Sequence, residues 1–448
     1  MSAQADIFDT LAECPSAGLA RFAETLDPEW IEQALNATGT ASIRRRKMPA
    51  EQVVWLVIGM ALFADRSLDA IVDHLRLILP GVEQLTRGAI SQARYRLGKE
   101  PIRWLFHTVA QHWAVPEPTM GYRGMALYAI DGTSMRVPDS DENFAHFGKH
   151  GSPNGSGDSG YPQLRMATLM ELGSRLICDA EFAPSTTSEY ELAWPLWDQI
   201  PNHSLTILDR GFINYRALAK LLGEGKDRHL LLRLKSTTRC RQMKELPDGT
   251  AHCVLQIPTL VRRQYPDLPE ELPFRVIAYQ NPGGEPSRLL TSLRDETMYP
   301  AAELIQLYHD RWEIELGYDE VKIHMLERKE SLRSQKVEGV QQEVWGLLLT
   351  YNLIRREMLL AARAHEVSPR RMSFRSSLLW IRTFWLTAAR IAPGTIPRHL
   401  GELRSSLQLL VLPPRRTERR YPRHVKIKMS NFKRNRGKRR PKEKDKST

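Results

Sequence analysis

Along the chain, the apolar positions change rhythm twice before residue 300, and each change marks a different kind of structure. Up to about residue 118 they recur every three or four residues, the spacing of helices with one buried face. DPEWIEQAL opens on Asp27-Pro28, a pairing that starts helices. PAEQVVWLVIGMALF is apolar on nearly every side and predicts a buried helix, and SLDAIVDHLRLIL predicts another. TRGAISQARYRLG takes Thr86 as its cap, with Ile90, Ala93 and Leu97 on one face and Arg87, Ser91 and Arg94 on another. Preceded by a helix and an LPG turn, it has the outline of the second helix of a helix-turn-helix, offering Arg87 and Arg94 to a DNA groove. An ordinary surface helix would carry the same arginines.

From about residue 122 the pattern shortens into continuous apolar runs. GMALYAIDGT predicts a strand ending at Asp131-Gly132, and QLRMATLMEL with RLICDAEFAP predicts a hairpin around Gly173-Ser174. EYELAWPLWDQI follows as a helix. SLTILDRGF then repeats the first grammar, an apolar strand ending in an acid, Asp209; NYRALAKLL and HLLLRLK add a helix and a strand. The alternation predicts an α/β domain. Residues 236–295 read as short antiparallel strands, and helices resume to about 395. The expected division is therefore a helical part (1–118), an α/β part (122–395) containing a β-rich insertion (236–295), a segment (396–414) and a tail (415–448).

Composition narrows the function. A 42% hydrophobic content in 448 residues is globular. The longest apolar run, VVWLVIGMALFA, is too short to cross a bilayer, so no membrane partner is expected. MSAQADIFDT lacks the basic and apolar regions of a secretion signal, and four scattered cysteines without C-x-x-C fit a reducing cytoplasm rather than a zinc or disulfide framework. GKHGSPNGSGDSGYP is glycine-rich but lacks the G-K-[ST] ending of a P-loop. The net charge of +12 is concentrated in the tail: from Arg415 to Lys446 there are 16 Lys+Arg against 3 Asp+Glu. That leaves 48 bases against 49 acids elsewhere, a nearly neutral body. Such a tail predicts disorder and sequence-independent contact with nucleic-acid phosphates, Arg419, Arg420, Arg434 and Arg436 among its contacts. Arg44, Arg45 and Arg46 add a second basic run, suited to phosphate rather than base contact.

Candidate chemistry centres on YHDRWEIELGYDEVK (308–322), which periodicity predicts as one unbroken helix. At about 100° per residue, His309, Asp310, Glu313, Gly317 and Glu320 make a polar face for water. Leu307, Ile314, Tyr318, Val321 and Met325 form one apolar band, and Trp312, Leu316 and Ile323 form another. Between the bands lie Tyr308, Arg311, Glu315, Asp319 and Lys322. Charge flanked by apolar residues is costly unless it is paired, bound to a metal or meeting a charged ligand. An i, i+4 Arg311–Glu315 pair is the plainer account. If the strands ending in Asp131 and Asp209 are parallel neighbours, their carboxylates lie side by side, and like charges that close need a cation between them. As turn formers, either Asp alone needs no function. Asp131, Asp209 and Glu315, without histidine or thiol, make an oxygen-only set that suits Mg2+ or Mn2+. Two such ions clamp the attacking and leaving oxygens of a phosphoryl displacement, and Arg311 and Lys322 would hold the phosphates.

These residues resemble a known family, the bacterial insertion-sequence transposases with a D,D,E triad, specifically the insertion-sequence-four family. The spacing Tyr308-(2)-Arg311-(3)-Glu315-(6)-Lys322 is its signature in type and interval. IDGTSMRVPDSDENFAHFG and ILDRGF resemble the segments around its first and second catalytic Asp, and ATGTASIRRRKMPAEQVVWLVIGMALF resembles its N-terminal domain. The resemblance runs to about residue 430. It implies an α/β, ribonuclease-H-like catalytic core interrupted by a β-rich insertion, with a helical N-terminal DNA-binding domain and a helical C-terminal part ending in a basic tail. It further implies that Asp131, Asp209 and Glu315 bind two Mg2+ (or Mn2+). Tyr308, Arg311 and Lys322 would hold terminal phosphates, and a homodimer would act on double-stranded DNA of the element ends and target. A bacterial cytoplasmic location at the nucleoid follows. Some relatives make a DNA hairpin with a tryptophan just before the strand matching RLLTSL; no tryptophan lies between 198 and 311 here, leaving Tyr279 and Tyr299 as nearby aromatics. Two other readings remain open from the residues alone: a nuclease that cuts without joining, and an inactive DNA-binding regulator.

Overall fold

The computed structural model describes residues 25–41, 48–78, 85–114, 116, 120–148, 161–238, 240–280, 286–327 and 331–413, and among these described residues five helices precede the first strand. Arg44, Arg45, Arg46, Arg419, Arg420, Arg434 and Arg436 lie outside the described residues. α1 (Pro28–Ala37) starts at its expected cap, with the Glu29 amide donating to Asp27 Oδ1 at 2.9 Å. α2 (Ala50–Leu62) is buried along almost its whole length, as its uniform apolarity requires. α3 (Leu68–Leu75) is capped by Ser67, and α4 (Arg87–Leu97) by Thr86, whose Oγ1 accepts from the Ala89 amide at 3.3 Å. α5 (Glu100–Trp113) completes the group.

The next elements are β1 (Ala126–Arg136), α6 (Asp141–Phe147), β2 (Gln163–Glu171), β3 (Ile177–Pro184), α7 (Glu189–Ala193), β4 (Ser204–Leu208), α8 (Tyr215–Gly223) and β5 (Arg228–Arg233). After them come β6 (Arg241–Glu245), β7 (Ala251–Gln256), α9 (Thr259–Gln264), β8 (Glu271–Tyr279) and β9 (Ser287–Thr291). The nine strands among the described residues belong to one sheet, in the order β3-β2-β1-β4-β5-β9-β8-β7-β6. β1, β4 and β5 run parallel; the other pairings are antiparallel. The β-rich segment expected at 236–295 is present, and it extends the same sheet through the β5–β9 pairing. Both faces of the parallel centre are covered. Leu127 and Ala129 enter one hydrophobic core, while Tyr128 and Ile130 enter another with α7 and α8 residues such as Leu192 and Leu218. Burial on two faces is why these strands read as unbroken apolar runs rather than alternating ones.

The remaining helices are α10 (Ala301–Tyr308), α11 (Trp312–Asp319), α12 (Val337–Ala364), α13 (Phe374–Ala388) and α14 (Ile396–Leu407). α12 is buried on most sides and joins the N-terminal helices to the sheet side of the molecule. Gly346 permits its close approach to α2, because a Cβ there would lie 2.4 Å from Val57 Cγ1. The N-terminal helices share one compact unit, ending at Leu412, with the sheet. Among the described residues no helix is long and apolar enough to cross a membrane.

Candidate catalytic centre

Asp131 and Asp209 are placed by strand pairing. In the parallel β1–β4 ladder Ile130 pairs with Leu208, so the next step sets Asp131 beside Asp209 on backbones about 5 Å apart. Asp131 is inside β1 and Asp209 immediately follows β4. Gly132 was expected to turn the chain; instead β1 continues through it to Arg136.

Glu315 reaches the same place from α11. Arg311 Nη2 donates to Glu315 Oε1 at 2.7 Å while Nη1 stands 3.9 Å from Asp131 Oδ2, so one guanidinium joins acids from two distant parts of the chain. The Arg311 side chain is only 12% exposed, and its Nε is buried without a hydrogen-bond partner. Burial pushes the Asp131 carboxyl up to about 7; the charges of Glu189 and Glu315 add to this, and the Gly132 amide and Arg311 pull against it. Tyr318 ties the helix to the strand, its hydroxyl 2.5 Å from the Asp131 carbonyl oxygen and 2.9 Å from Thr168 Oγ1. At the neighbouring Gly317 a Cβ would lie 2.5 Å from Met170 Cε and 3.2 Å from the Tyr351 hydroxyl. Neither was singled out from sequence, where Tyr318 is one apolar residue among several.

The rest of the signature flanks α11, Tyr308 at the end of α10 and Lys322 in the turn that follows α11. Tyr308 is buried, which pushes its hydroxyl up to about 12, and it feels the charges of Arg311, Asp209 and Arg233 and the nearby Tyr279 hydroxyl. Lys322 is half-buried; desolvation lowers its ammonium, and Asp319 partly offsets this. Of the two aromatics proposed to replace a missing tryptophan, Tyr279 neighbours Tyr308, whereas the Tyr299 ring packs on Tyr122 with centroids 6.3 Å apart.

Two expectations need correction. The run 308–322 is not one helix: α10 ends at Tyr308, a 3-10 turn spans His309–Arg311, and a π-helical turn (Glu320–Met325) follows α11. The irregular turns alter the phase, so the face assigned to water is buried at Glu313 and Glu320, while Trp312 is 54% exposed. Arg175, in the β2–β3 turn, donates to Glu313 through Nε and to Glu320 through Nη1, both at 2.6 Å. Arg355 also pairs with Glu320, and the Tyr351 hydroxyl donates to it at 3.0 Å. Arg94 is the second correction. It is buried, with Nε donating to Gln342 Oε1 at 3.1 Å and Nη2 to Ser334 Oγ at 3.2 Å, so it holds α4 to α12 instead of facing a DNA groove. Arg87 remains exposed beside Asp69.

The sequence matches the family described as "Insertion element 4 transposase N-terminal" over residues 16–107 and that described as "Transposase DDE domain" over residues 122–353. It is 37% identical over 410 residues to the Escherichia coli (strain K12) transposase InsG for insertion sequence element IS4, covering 91% of this chain and 92% of that one. The chain belongs to the insertion-sequence-four family of DDE transposases. This transposase is also 35% identical over 222 residues to the putative transposase InsZ of the same organism, covering 49% of this chain and 72% of that one. A piggyBac transposase synaptic complex with hairpin DNA aligns over 88% of the transposase and 85% of its own chain, at a TM-score of 0.44 and 13% identity, too loose a likeness to bear on mechanism. The transposase-domain match spans Asp131, Asp209, Glu315 and the whole Tyr308–Lys322 signature. The chain is thus a DNA transposase, and neither the regulator nor the simple nuclease is favoured.

Proposed function

We propose that Asp131, Asp209 and Glu315 hold the divalent ions with which this transposase cuts the ends of its element and joins them to target DNA. β1–β5 would form the ribonuclease-H-like core of that centre, and β6–β9 its insertion. The observation that carries the reading is the meeting of Asp131 and Glu315 on Arg311, beside the strand tip that ends in Asp209. The donor chemistry fits: carboxylate oxygens suit a hard ion, and the Asp131 carboxyl, pushed up to about 7, gains from a positive partner. Among the described residues no three Asp, Glu, His or Cys side chains are gathered at metal-ligand spacing. Arg311 occupies the position of shared cation between two of the acids. Mg2+ or Mn2+, two ions in all, would activate a water and then a 3′-hydroxyl for in-line attack on phosphorus. Tyr308, Arg311 and Lys322 orient the terminal phosphates, an Arg fork gripping two oxygens where a Lys grips one.

Residues 1–118, with Arg87 and the run Arg44–Arg46, form the part that engages the element ends, and the 415–448 tail adds nonspecific phosphate contact. Residues 396–414 are the segment between the 122–395 part and that tail. The partner is double-stranded DNA, held by a homodimer at the nucleoid. The test is Mg2+-dependent cleavage of duplexes carrying the ends of the element. Asp131→Asn is expected to reduce cleavage by at least about a thousandfold, on the order of 4 kcal/mol of transition-state stabilisation, while leaving end binding nearly intact. Persistent cutting by that variant refutes the site.

A further inference from the structure

One peptide group beside the acids is held at both ends. Tyr318 and Thr168 are buried, and Thr168 stands opposite Asp131 in the β1–β2 ladder. The Tyr318 hydroxyl has one proton, and the Asp131 carbonyl oxygen, 2.5 Å away, can only accept it. The Thr168 hydroxyl, 2.9 Å from the same phenol oxygen, must then donate to it. Across the peptide bond from that carbonyl is the Gly132 amide, which donates to Asp131 Oδ1 at 2.9 Å and also serves Glu189. The bonds therefore run in one direction, from the Thr168 hydroxyl through the Tyr318 hydroxyl and the Asp131–Gly132 peptide to the Asp131 carboxylate. Donation to a carbonyl polarises its peptide and strengthens what the amide gives, so each link supports the next. The other carboxylate oxygen, Oδ2, is the one on the Arg311 side.

A buried phenol needs a partner, and any nearby carbonyl would satisfy it. This carbonyl belongs to the first acid of the triad, and the phenol comes from one helical turn beyond Glu315, on the same side of α11. We propose that Tyr318 is a positioning residue for cleavage: through the Asp131–Gly132 peptide it fixes the Asp131 carboxylate and sets it at a constant distance from Glu315. The inference rests on the reading of Asp131, Asp209 and Glu315 as the acids that hold the divalent ions. Without the hydroxyl, the peptide that orients one acid loses its donor and the helix that carries another loses a polar tie to β1.

The test compares full-length Tyr318→Phe, Thr168→Val, Thr168→Ser and Asp131→Asn with wild type. The measurements are single-turnover cleavage of pre-bound element ends at saturating Mg2+, Mn2+ binding by electron paramagnetic resonance of the free ion, and melting temperature in EDTA. Tyr318→Phe removes one oxygen and should bind the ends as wild type does. Its cleavage rate should fall, and its Mn2+ affinity weaken, by about tenfold or more, the range seen when groups supporting metal ligands are lost. Thr168→Val should move both in the same direction by less, and Thr168→Ser, which keeps the hydroxyl, should recover most of that loss. A lowered melting temperature with cleavage and Mn2+ binding unaltered makes Tyr318 a structural residue and overturns the inference. If Tyr318→Phe does not fold, the Thr168 pair decides, and equal cleavage by its Val and Ser variants overturns the inference as well. Equal Mn2+ affinity in wild type and Asp131→Asn would instead sink the metal-site reading, and the role of Tyr318 with it.

Discussion

α11 and the turns on either side of it carry two arginine–carboxylate clusters that differ in how completely their charges are matched. On one side Glu313 and Glu320 are 3% and 6% exposed and meet Arg175, Arg355 and the Tyr351 hydroxyl. On the other, Glu315 has a 34% exposed side chain and shares Arg311 with Asp131, while Glu189 and Asp209 add negative charge nearby. The first cluster is enclosed and its acids are already partnered, so it has no room for a ligand. The second has more acid than base and an opening to solvent. Buried charge by itself therefore does not mark a catalytic centre; an unmatched remainder does.

Glu320→Gln tests the enclosed side and should have the larger effect on stability. It leaves the buried Arg355 guanidinium without its carboxylate and Arg175 with Glu313 alone, which costs about 3–5 kcal/mol. Glu315→Gln removes a half-exposed pair and should change stability by less than about 1 kcal/mol. Urea unfolding midpoints check both, and similar losses would erase the distinction between the clusters.

Asp131 sharpens the comparison through pH. Its carboxyl sits at about 7 in the folded chain against an ordinary 3.8, so the ionised form opposes folding. The penalty is complete above pH 7. It is withdrawn as pH falls through 7 toward 4, where the folded carboxyl holds a proton that the unfolded chain still lacks. In EDTA, Asp131→Asn should be more stable than wild type above pH 7 by about 2–4 kcal/mol, and the two should converge near pH 4. A gap that does not change with pH would show that burial and like charge do not act on Asp131 in this way.

What sequence reveals here depends on how far away the partner lies. The Asp27 and Thr86 caps, the β2–β3 hairpin and the β4 strand that stops before Asp209 are set by neighbours in the chain, and their patterns could be read directly, whereas β1 runs on past Asp131 to Arg136. The wet face assigned to Glu313 and Glu320 failed because 3-10 and π turns leave little trace in residue type. The partners Arg175 and Arg355 also come from other elements.

Arg94 and Arg87 repeat the contrast on a single helix. Arg94 bonds to Ser334, Gly339 and Gln342, all contributed from far along the chain, so Arg94→Met should cost about 1–3 kcal/mol in unfolding free energy and leave the DNA sequence preference of the folded protein unaltered. Arg87 pairs with Asp69 at 3.3 Å, but the two side chains are 73% and 40% exposed. Water and salt screen such a pair, so Arg87→Ala should change stability by less than about 0.5 kcal/mol, the smallest effect of the series. Its effect should appear in binding, because a solvent-facing guanidinium near the start of α4 is free to exchange Asp69 for DNA. If Arg87 reads a base, alanine weakens binding to the element ends by about 1–3 kcal/mol and spares unrelated duplexes, as competition assays at fixed salt would show. Equal weakening on every duplex, with a shallower salt dependence, makes it a phosphate contact and leaves the reading of sequence to other residues.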